Sequence, residues 1–399
     1  MINDAERIWK LKQDLNESFG FDPGQTHVVR SPYRICPLGA HVDHQKGLVT
    51  GMCIDRNILL VYRPNTNGKI RLKSLNFEKG VEFSIHDHST PIAKDWGNYP
   101  KGAVAALRET YELKYGFDGV IEGNMPIGGL SSSAAVGLAY LLALQHVNDI
   151  DIATEENIHL NLKIENGFIG LKTGILDQST ILLSQKNKLF FLDCQNEDYC
   201  LISPGEKMPQ FKIIVVYSGV CKNLAGTGYN QRVLECEEAT HMLVQKARFP
   251  SNNRHVLRDI PVEVFKDYRN ELPEKARKRA THFFSEYERV RRGLSHWRNG
   301  DLQKFGKLIN ESGKSSIENY ECGCEQLITI YQILSEASGV YGARFSGAGF
   351  RGSCIGLIDP AYEGTIIEAI RKEYPKRHPD IENSYEVFIC ESDEGARLL

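Results

Sequence analysis

Asn124-Met125-Pro126-Ile127-Gly128-Gly129-Leu130-Ser131-Ser132-Ser133-Ala134-Ala135-Val136-Gly137 runs straight into the apolar stretch Leu138 to Val147. The glycine pair lets the backbone approach a ligand with no Cβ in the way. The three serines fall where the following helix begins, and first-turn N–H groups have no partner within a helix. Free donors and the helix macrodipole both favour an anion there. The hydroxyls add donors and can ligate a hard metal. The stretch predicts a phosphate cradle; a single Ser N-cap after a Gly turn needs only one of these serines. No Gly-Lys-Ser/Thr ends it, so it is not a Walker A loop.

The chain around this stretch has 399 residues, 41% of them hydrophobic and 25% charged, which predicts a globular protein of two or three domains. A formal net charge of −3 implies no general field for nucleic acid. Basic residues cluster from Lys275 to Arg298 with Glu286 and Glu288 among them, the pattern of a solvated helix face. Ten cysteines are scattered without C-x-x-C pairing, so they read as reduced thiols of a cytoplasmic protein. Cys322-Gly323-Cys324 has no second Cys or His pair nearby and is discounted as a metal site. Met1 to Phe21 is amphipathic and charged, unlike a signal peptide, and no apolar run approaches the ~20 residues of a membrane span. The partners expected are small molecules, with no nucleic acid and no membrane. The chain is expected to be a monomer or a weak homo-oligomer.

Taken in order, 4–19 reads as a helix stopped by Gly20, and 26–36 as a β-branched strand. A polar loop follows at 37–47. Strands at 52–63, 69–76 and 81–86 read as a meander, separated by turn residues. Helix 99–115 and strand 117–122 deliver the chain to the cradle. A long helix, 154–169, carries Glu165, and 175–184 is helical again before strand 188–193. Composition shifts at 197–210, with Pro204-Gly205 and Pro209, which places a domain boundary there and divides the chain into 1–203 and 204–399. Beyond it come strand 211–218, helix 229–246, an irregular polar insert at 250–273, and two or three helices to residue 338. Strands at 342–345, 354–358 and 385–390 flank helix 360–374. Strands and helices mix without regular βαβα alternation, so the class is α+β.

A second small-residue loop, Ser346-Gly347-Ala348-Gly349-Phe350-Arg351-Gly352-Ser353, lies between two strands of the second half. Two such loops in two halves suggest a nucleotide or sugar in the cleft between them. Arg34 sits inside an apolar strand, where an unpaired guanidinium is costly, so it requires a carboxylate partner. Asp177 follows Gly174-Ile175-Leu176 and reads as an N-cap on its own; Glu165 reads as a helix residue. His41, Asp43 and His44 suit a hydrogen-bonded sugar better than zinc. Together these parts suit phosphoryl transfer, which needs a phosphate cradle, a metal, a positioned hydroxyl and a stabilising charge. Ser and Glu with water and phosphate oxygens suit Mg²⁺. Asp near Arg can orient or deprotonate an alcohol.

Pro126-x-x-Gly129-Leu130-Ser131-Ser132-Ser133-Ala134 with Gly342-Ala343-Arg344-Phe345-Ser346-Gly347-Ala348-Gly349-Phe350 resembles the GHMP small-molecule kinases. Three further segments resemble their galactokinase branch. Gly39-Ala40-His41-Val42-Asp43-His44 is similar to its sugar-binding Gly-Glu-His-x-Asp-Tyr, and Trp96-Gly97-Asn98-Tyr99-Pro100-Lys101-Gly102 to its segment near adenine. Gly174-Ile175-Leu176-Asp177-Gln178 is similar to the segment with its catalytic Asp. The resemblance implies two α+β domains, an N-terminal one like ribosomal protein S5 domain 2 and a ferredoxin-like C-terminal one. It implies ATP-dependent phosphorylation of a sugar at its anomeric hydroxyl. By motif position Asp177 is the catalytic carboxylate and Arg34 its partner. Trp96 and Tyr99 fall near adenine. Gly128, Gly129, Leu130, Ser131, Ser132, Ser133 and Ala134 hold the ATP phosphates, with Gly347 and Gly349 from the second loop. Mg²⁺ sits between Ser133 and Glu165. His41, Asp43 and Tyr229, the last in Leu224-Ala225-x-x-x-Tyr229, contact the sugar.

Departures from the branch's pattern carry information of their own. Ala40 replaces the signature Glu, which in galactokinases faces the C6 hydroxyl. A carboxylate at C6 of the substrate would be repelled by that Glu, by about 1 kcal/mol in water and more when buried. Ala40 therefore implies a uronic acid. The stretches 32–45 and 129–144 also look like plant-type galacturonokinases. Cys221-Lys222 stands where galactokinases commonly have Arg-His, and Lys222 offers the C6 carboxylate a cation. The cradle is one residue shorter than Pro-x-Gly-x-Gly-Leu.

Overall fold

The structure, a computed structural model, describes residues 3–20, 26–220, 228–250, 255–381 and 383–399. Helix α1, Asp4–Phe19, starts where Asn3 accepts from the Glu6 N–H at 2.9 Å and stops at Gly20 in the left-handed conformation. Its Leu11 and Leu15 pack on Val28, Leu59, Val61 and Val120.

Those four apolar residues belong to the first sheet. Its strands are β1 (His27–Ile35), β2 (Leu48–Asn65), β3 (Lys69–Ser74), β4 (Val81–Ser84), β5 (Gly116–Gly123), β6 (Leu189–Asp193) and β7 (Asp198–Ile202), joined by two short C-terminal strands, β12 (Ser392–Asp393) and β13 (Arg397–Leu398). The main order is β13-β1-β2-β5-β3-β4. Strands 52–86 are thus not a meander. The chain leaves β4, crosses over through α2 (Asn98–Arg108), and returns as β5 between β2 and β3, parallel to β3. Helix α2 is shorter than the 99–115 expected.

β5 feeds the serine stretch and α3, Ser132–Asn148. This helix is apolar all round, the pattern of a helix enclosed on every side. It packs beneath β1 and β2, and Ala134, Leu138, Leu141 and Ala143 are fully buried. Helix α4, Thr154–Leu162, gives way to a π-helical turn over Lys163–Ile169, so the single helix expected for 154–169 changes pitch at Lys163 and Glu165 lies in the wider turn. Such turns are rare and gather at functional sites. Helix α5 is Leu176–Leu183.

The second sheet is antiparallel throughout, in the order β11-β8-β10-β9, with β8 at Lys212–Tyr217, β9 at Val340–Phe345, β10 at Ser353–Ile358 and β11 at Glu386–Cys390. Around it lie α6 (Tyr229–Lys246), α7 (Val262–Tyr268), α8 (Glu274–Arg298), α9 (Leu302–Glu318), α10 (Glu325–Glu336) and α11 (Glu363–Arg377). Helix α7 lies within the stretch expected to be irregular. Helix α8 is not a solvated face: Arg279, His282, Glu286 and Arg289 are buried along one stripe with Phe283, Val290 and Trp297. The Trp297 indole donates to the Ile202 carbonyl at 3.0 Å, tying α8 to β7.

The C-terminal tail returns to the first sheet through β12 on β2 and β13 on β1, sealed by an ion pair between Arg30 and Asp393. Asp393→Ala would leave the buried Arg30 with Asp4 alone. We expect a loss of about 1–3 kcal/mol, the scale of a charged hydrogen bond. It should appear as a lower urea midpoint at unchanged m; an unmoved midpoint would show that tail docking does not draw on this pair.

Candidate active site

The two glycine loops meet backbone to backbone. A Cβ on Gly352 would lie 2.4 Å from the Gly128 carbonyl carbon, and one on Gly129 would lie 2.9 Å from both the Ser346 oxygen and the Ser353 nitrogen. The Ser353 hydroxyl donates to the Gly128 carbonyl at 3.1 Å. The glycine pair expected to admit a ligand therefore also admits the other loop. A cavity of about 340 Å³ opens beside this contact.

Arg34 ends β1 and faces the cavity. The β1–β2 register shifts between Pro32 and Arg34, and irregularities of this kind re-aim side chains. Its Nε and NH2 both lie 2.7 Å from Asp177 Oδ1. Its NH1 reaches the Gly129 carbonyl at 3.2 Å and Ser346 Oγ at 3.4 Å. The Ser131 hydroxyl donates to the other oxygen of Asp177. Ser131 is left-handed at φ 56° and makes no side-chain cap, so it differs from the N-cap serine of the simpler reading. Ser132 and Ser133 follow on the first turn of α3, and all three serines line the cavity.

Glu165 lies behind this wall, 1% exposed. Burial first, and the Asp177 charge second, push its carboxyl up to about 7. Oε2 accepts from Thr173 Oγ1 at 3.0 Å, and Ser133, with Thr173, favours the charged carboxylate. Oε1 has no hydrogen-bond partner among the described residues. An enclosed carboxylate with a spare oxygen beside a serine suits a hard cation that takes its remaining ligands from phosphate and water.

On the other side of Asp177, the 37–47 loop brings Ala40, His41 and Asp43 to the wall. His41 stacks on Tyr320 at 4.2 Å and 8°. Burial, then His282, hold it well below the usual imidazole range, so it is neutral. Enclosure and the Asp177 charge raise Asp43 to about 6. The loop is gripped by α8. Glu286 Oε1 accepts from the N–H of Gly39 at 2.8 Å and of Ala40 at 3.2 Å, and His282 Nε2 meets the Ala40 carbonyl at 2.9 Å.

Of the residues singled out in the sequence, Arg34, Ala40, His41, Asp43, Tyr99, Gly128, Gly129, Ser131, Ser132, Ser133, Asp177, Tyr229 and Gly347 line one cavity. Leu130, Ala134 and Gly349 do not: Leu130 and Ala134 are core residues whose carbonyls accept from the Arg34 N–H and from Asn161, and Gly349 packs on Cys322. Trp96 also stands apart, stacked on Phe77 with its indole on the Lys79 carbonyl. Lys222 lies outside the described residues. The sequence reading gave no role in the site to Asn230, Arg344 or Arg351 in the wall, nor to His282 and Glu286 behind it. Arg344 carried the same signal as Arg34, a guanidinium inside an apolar strand.

The family described as GHMP kinases N terminal domain matches residues 98–185, and the one described as GHMP kinases C terminal matches 292–376. The chain is 42% identical to a galacturonokinase of Arabidopsis thaliana, over 98% of this chain and 97% of that one. It is 31% identical to a galactokinase of Roseiflexus sp., over 97% and 96%. The crystal structure of Lactococcus lactis galactokinase complexed with galactose superposes with a TM-score of 0.90 at 28% identity, covering 98% of this chain and 99% of that one.

Asp43 supplies a pH test. Its folded value of about 6 stands above the ordinary 3.8, so between those pH values the folded state holds a proton that the unfolded state has released. Stability of the unliganded protein should fall as pH rises through this window and level off above it. Asp43→Asn should flatten that part of a denaturation series between pH 4 and pH 7; an unchanged slope would assign it to other groups.

Proposed function

Because the chain belongs to the GHMP kinase family, within its galactokinase branch, we propose that it transfers the γ-phosphate of ATP to the anomeric hydroxyl of a hexuronic acid, giving galacturonate 1-phosphate from galacturonate. The observation that carries this reading is Asp177, held between Arg34 and the cradle serine Ser131 in the cavity that His41 and Asp43 also line. The sugar lies against Ala40, His41, Asp43 and Tyr229, with its anomeric hydroxyl at Asp177. Asp177 aims that hydroxyl at the γ-phosphorus. The hydroxyl oxygen bonds to phosphorus as the bond to the leaving ADP oxygen breaks, its proton passing to the Asp177 carboxylate or to the transferred phosphoryl group, while Arg34 balances the charge on Asp177 and the transferring group. Ser131 to Ser133, the α3 N-terminus and the facing loop at Gly347 receive the phosphates, and Gly349 and Arg351 belong to that same loop. Glu165 and Ser133 hold Mg²⁺, which offsets phosphate charge when bound.

The choice of a uronate is supported by Ala40, which offers the far end of the sugar no carboxylate, and by the similarity to a protein named galacturonokinase. Galactose phosphorylation is the second reading, supported by the galactokinase relatives. We further place the domain boundary near residue 203, with the tail strands added back to the first domain, and the protein in the cytoplasm.

Coupled ADP release should be faster with galacturonate than with galactose; equal or reversed rates would sink the uronate reading. Ala40→Glu should shift preference toward galactose. Asp177→Asn should turn over at least ~100-fold more slowly, the scale of a positioned base, and near-normal turnover would remove Asp177 from catalysis.

A further inference from the structure

Arg344 on β9 is 1% exposed, yet it lines the cavity. Its Nε donates to the Phe345 carbonyl at 3.0 Å. Its NH1 donates no hydrogen bond among the described residues, although it is buried. The nearest carboxylate oxygen, Glu286 Oε1, is 3.9 Å away, too far for a hydrogen bond. That oxygen is already filled by the N–H groups of Gly39 and Ala40 and by Ser312 Oγ at 2.7 Å, and Oε2 is held by Arg289 Nε at 2.7 Å. Two guanidinium groups thus share one carboxylate behind the Ala40 loop, which leaves an excess positive charge facing the cavity. A buried cation with an idle donor is costly unless an anion meets it.

The position of the charge says which anion. Glu286 Oε1, 3.9 Å from Arg344 NH1, is the oxygen that accepts from the Ala40 N–H at 3.2 Å, so Arg344 stands beside the Ala40 loop. The cradle meets Asp177 through Ser131, and the cation of Asp177 is Arg34. Beside Arg344, residue 40 is an alanine and supplies no acid.

We propose that Arg344 is a specificity-determining residue whose free NH1 receives the carboxylate at the far end of the sugar, so that the substrate brings the acid that position 40 lacks. This rests on the uronate reading above. The shared chemistry with a phosphate is resolved by place, and the test separates them.

The test uses Arg344→Lys and Arg344→Gln, with kcat/KM for galacturonate and for galactose and KM for ATP. The ratio of the two kcat/KM values should fall about 10–100-fold in Arg344→Gln, the scale of one charged hydrogen bond, and less in Arg344→Lys, which keeps the charge. A ratio that does not move, even where both activities drop, overturns the proposal, as does an effect confined to KM for ATP. Wild-type protein provides an arm that no folding failure can block. By calorimetry without nucleotide, galacturonate should bind about tenfold or more tighter than its neutral C6 amide; equal binding overturns the proposal. Wild-type preference for galactose over galacturonate would instead sink the uronate reading itself.

Discussion

A guanidinium at the end of an interior strand cannot be left alone, and the site is organised around meeting the needs of Arg34. It is 3% exposed. Its side chain draws in Asp177 from α5, the Gly129 carbonyl from the cradle and Ser346 from the second loop, while its own N–H donates to the Leu130 carbonyl. Removing one partner of such a pair costs about 3–5 kcal/mol, because the other charge stays buried. The contact therefore fixes where three separate segments stand relative to one another, and it ties the integrity of the fold to the geometry of the cavity. Asp177 meets Arg34 with one oxygen and Ser131 with the other. An acceptor held at both oxygens aims a hydroxyl with little freedom to wander, which is what proximity catalysis requires.

The cradle is rigid for a related reason. Its glycines are pressed against Gly347 and Gly352 so closely that side chains on either loop would collide. Two loops from opposite ends of the sequence thus behave as one wall. The wall presents backbone N–H groups and hydroxyls whose positions are set before any nucleotide arrives, so little ordering remains to offset binding.

Much of this was legible in the sequence, because it depended on local chemistry. Gly-Gly-Leu-Ser-Ser-Ser before an apolar run announces a helix start with spare donors, and α3 begins at Ser132. Arg34 in an apolar strand announces a buried partner, and Asp177 is that partner. Sheet order was less legible: β5 inserts between β2 and β3, and nothing in strands 52–86 alone distinguishes that from a meander. Helix α8 misled for a different reason. Its charges read as solvated when taken as a run, yet Arg279, His282, Glu286 and Arg289 follow the 3- and 4-residue spacing of its apolar residues and share the buried face. Spacing, rather than charge density, carried the information. Trp96, which the motif match puts near adenine, packs on Phe77 outside the cavity wall that Tyr99 lines.

Helix α8 also fixes the loop that brings Ala40 to the cavity wall. The loop is strained at His41, which is left-handed at φ 57°; a non-glycine residue there costs about 1–2 kcal/mol. Against this stand the two N–H bonds to Glu286 and the His282 contact to the Ala40 carbonyl. Hydrogen bonds to a charged group contribute about 1.5–3 kcal/mol each, so the grip outweighs the strain. Burial alone would raise the Glu286 carboxyl; Arg289 first, then His282 and Arg344, lower it, and the net shift keeps it ionised far below neutrality. The grip acts on the backbone of residue 40 at both its N–H and its carbonyl. A loop held by its main chain in this way can exchange one side chain for another without losing its shape. The second half of the chain thus sets the frame in which a substitution at position 40 is read.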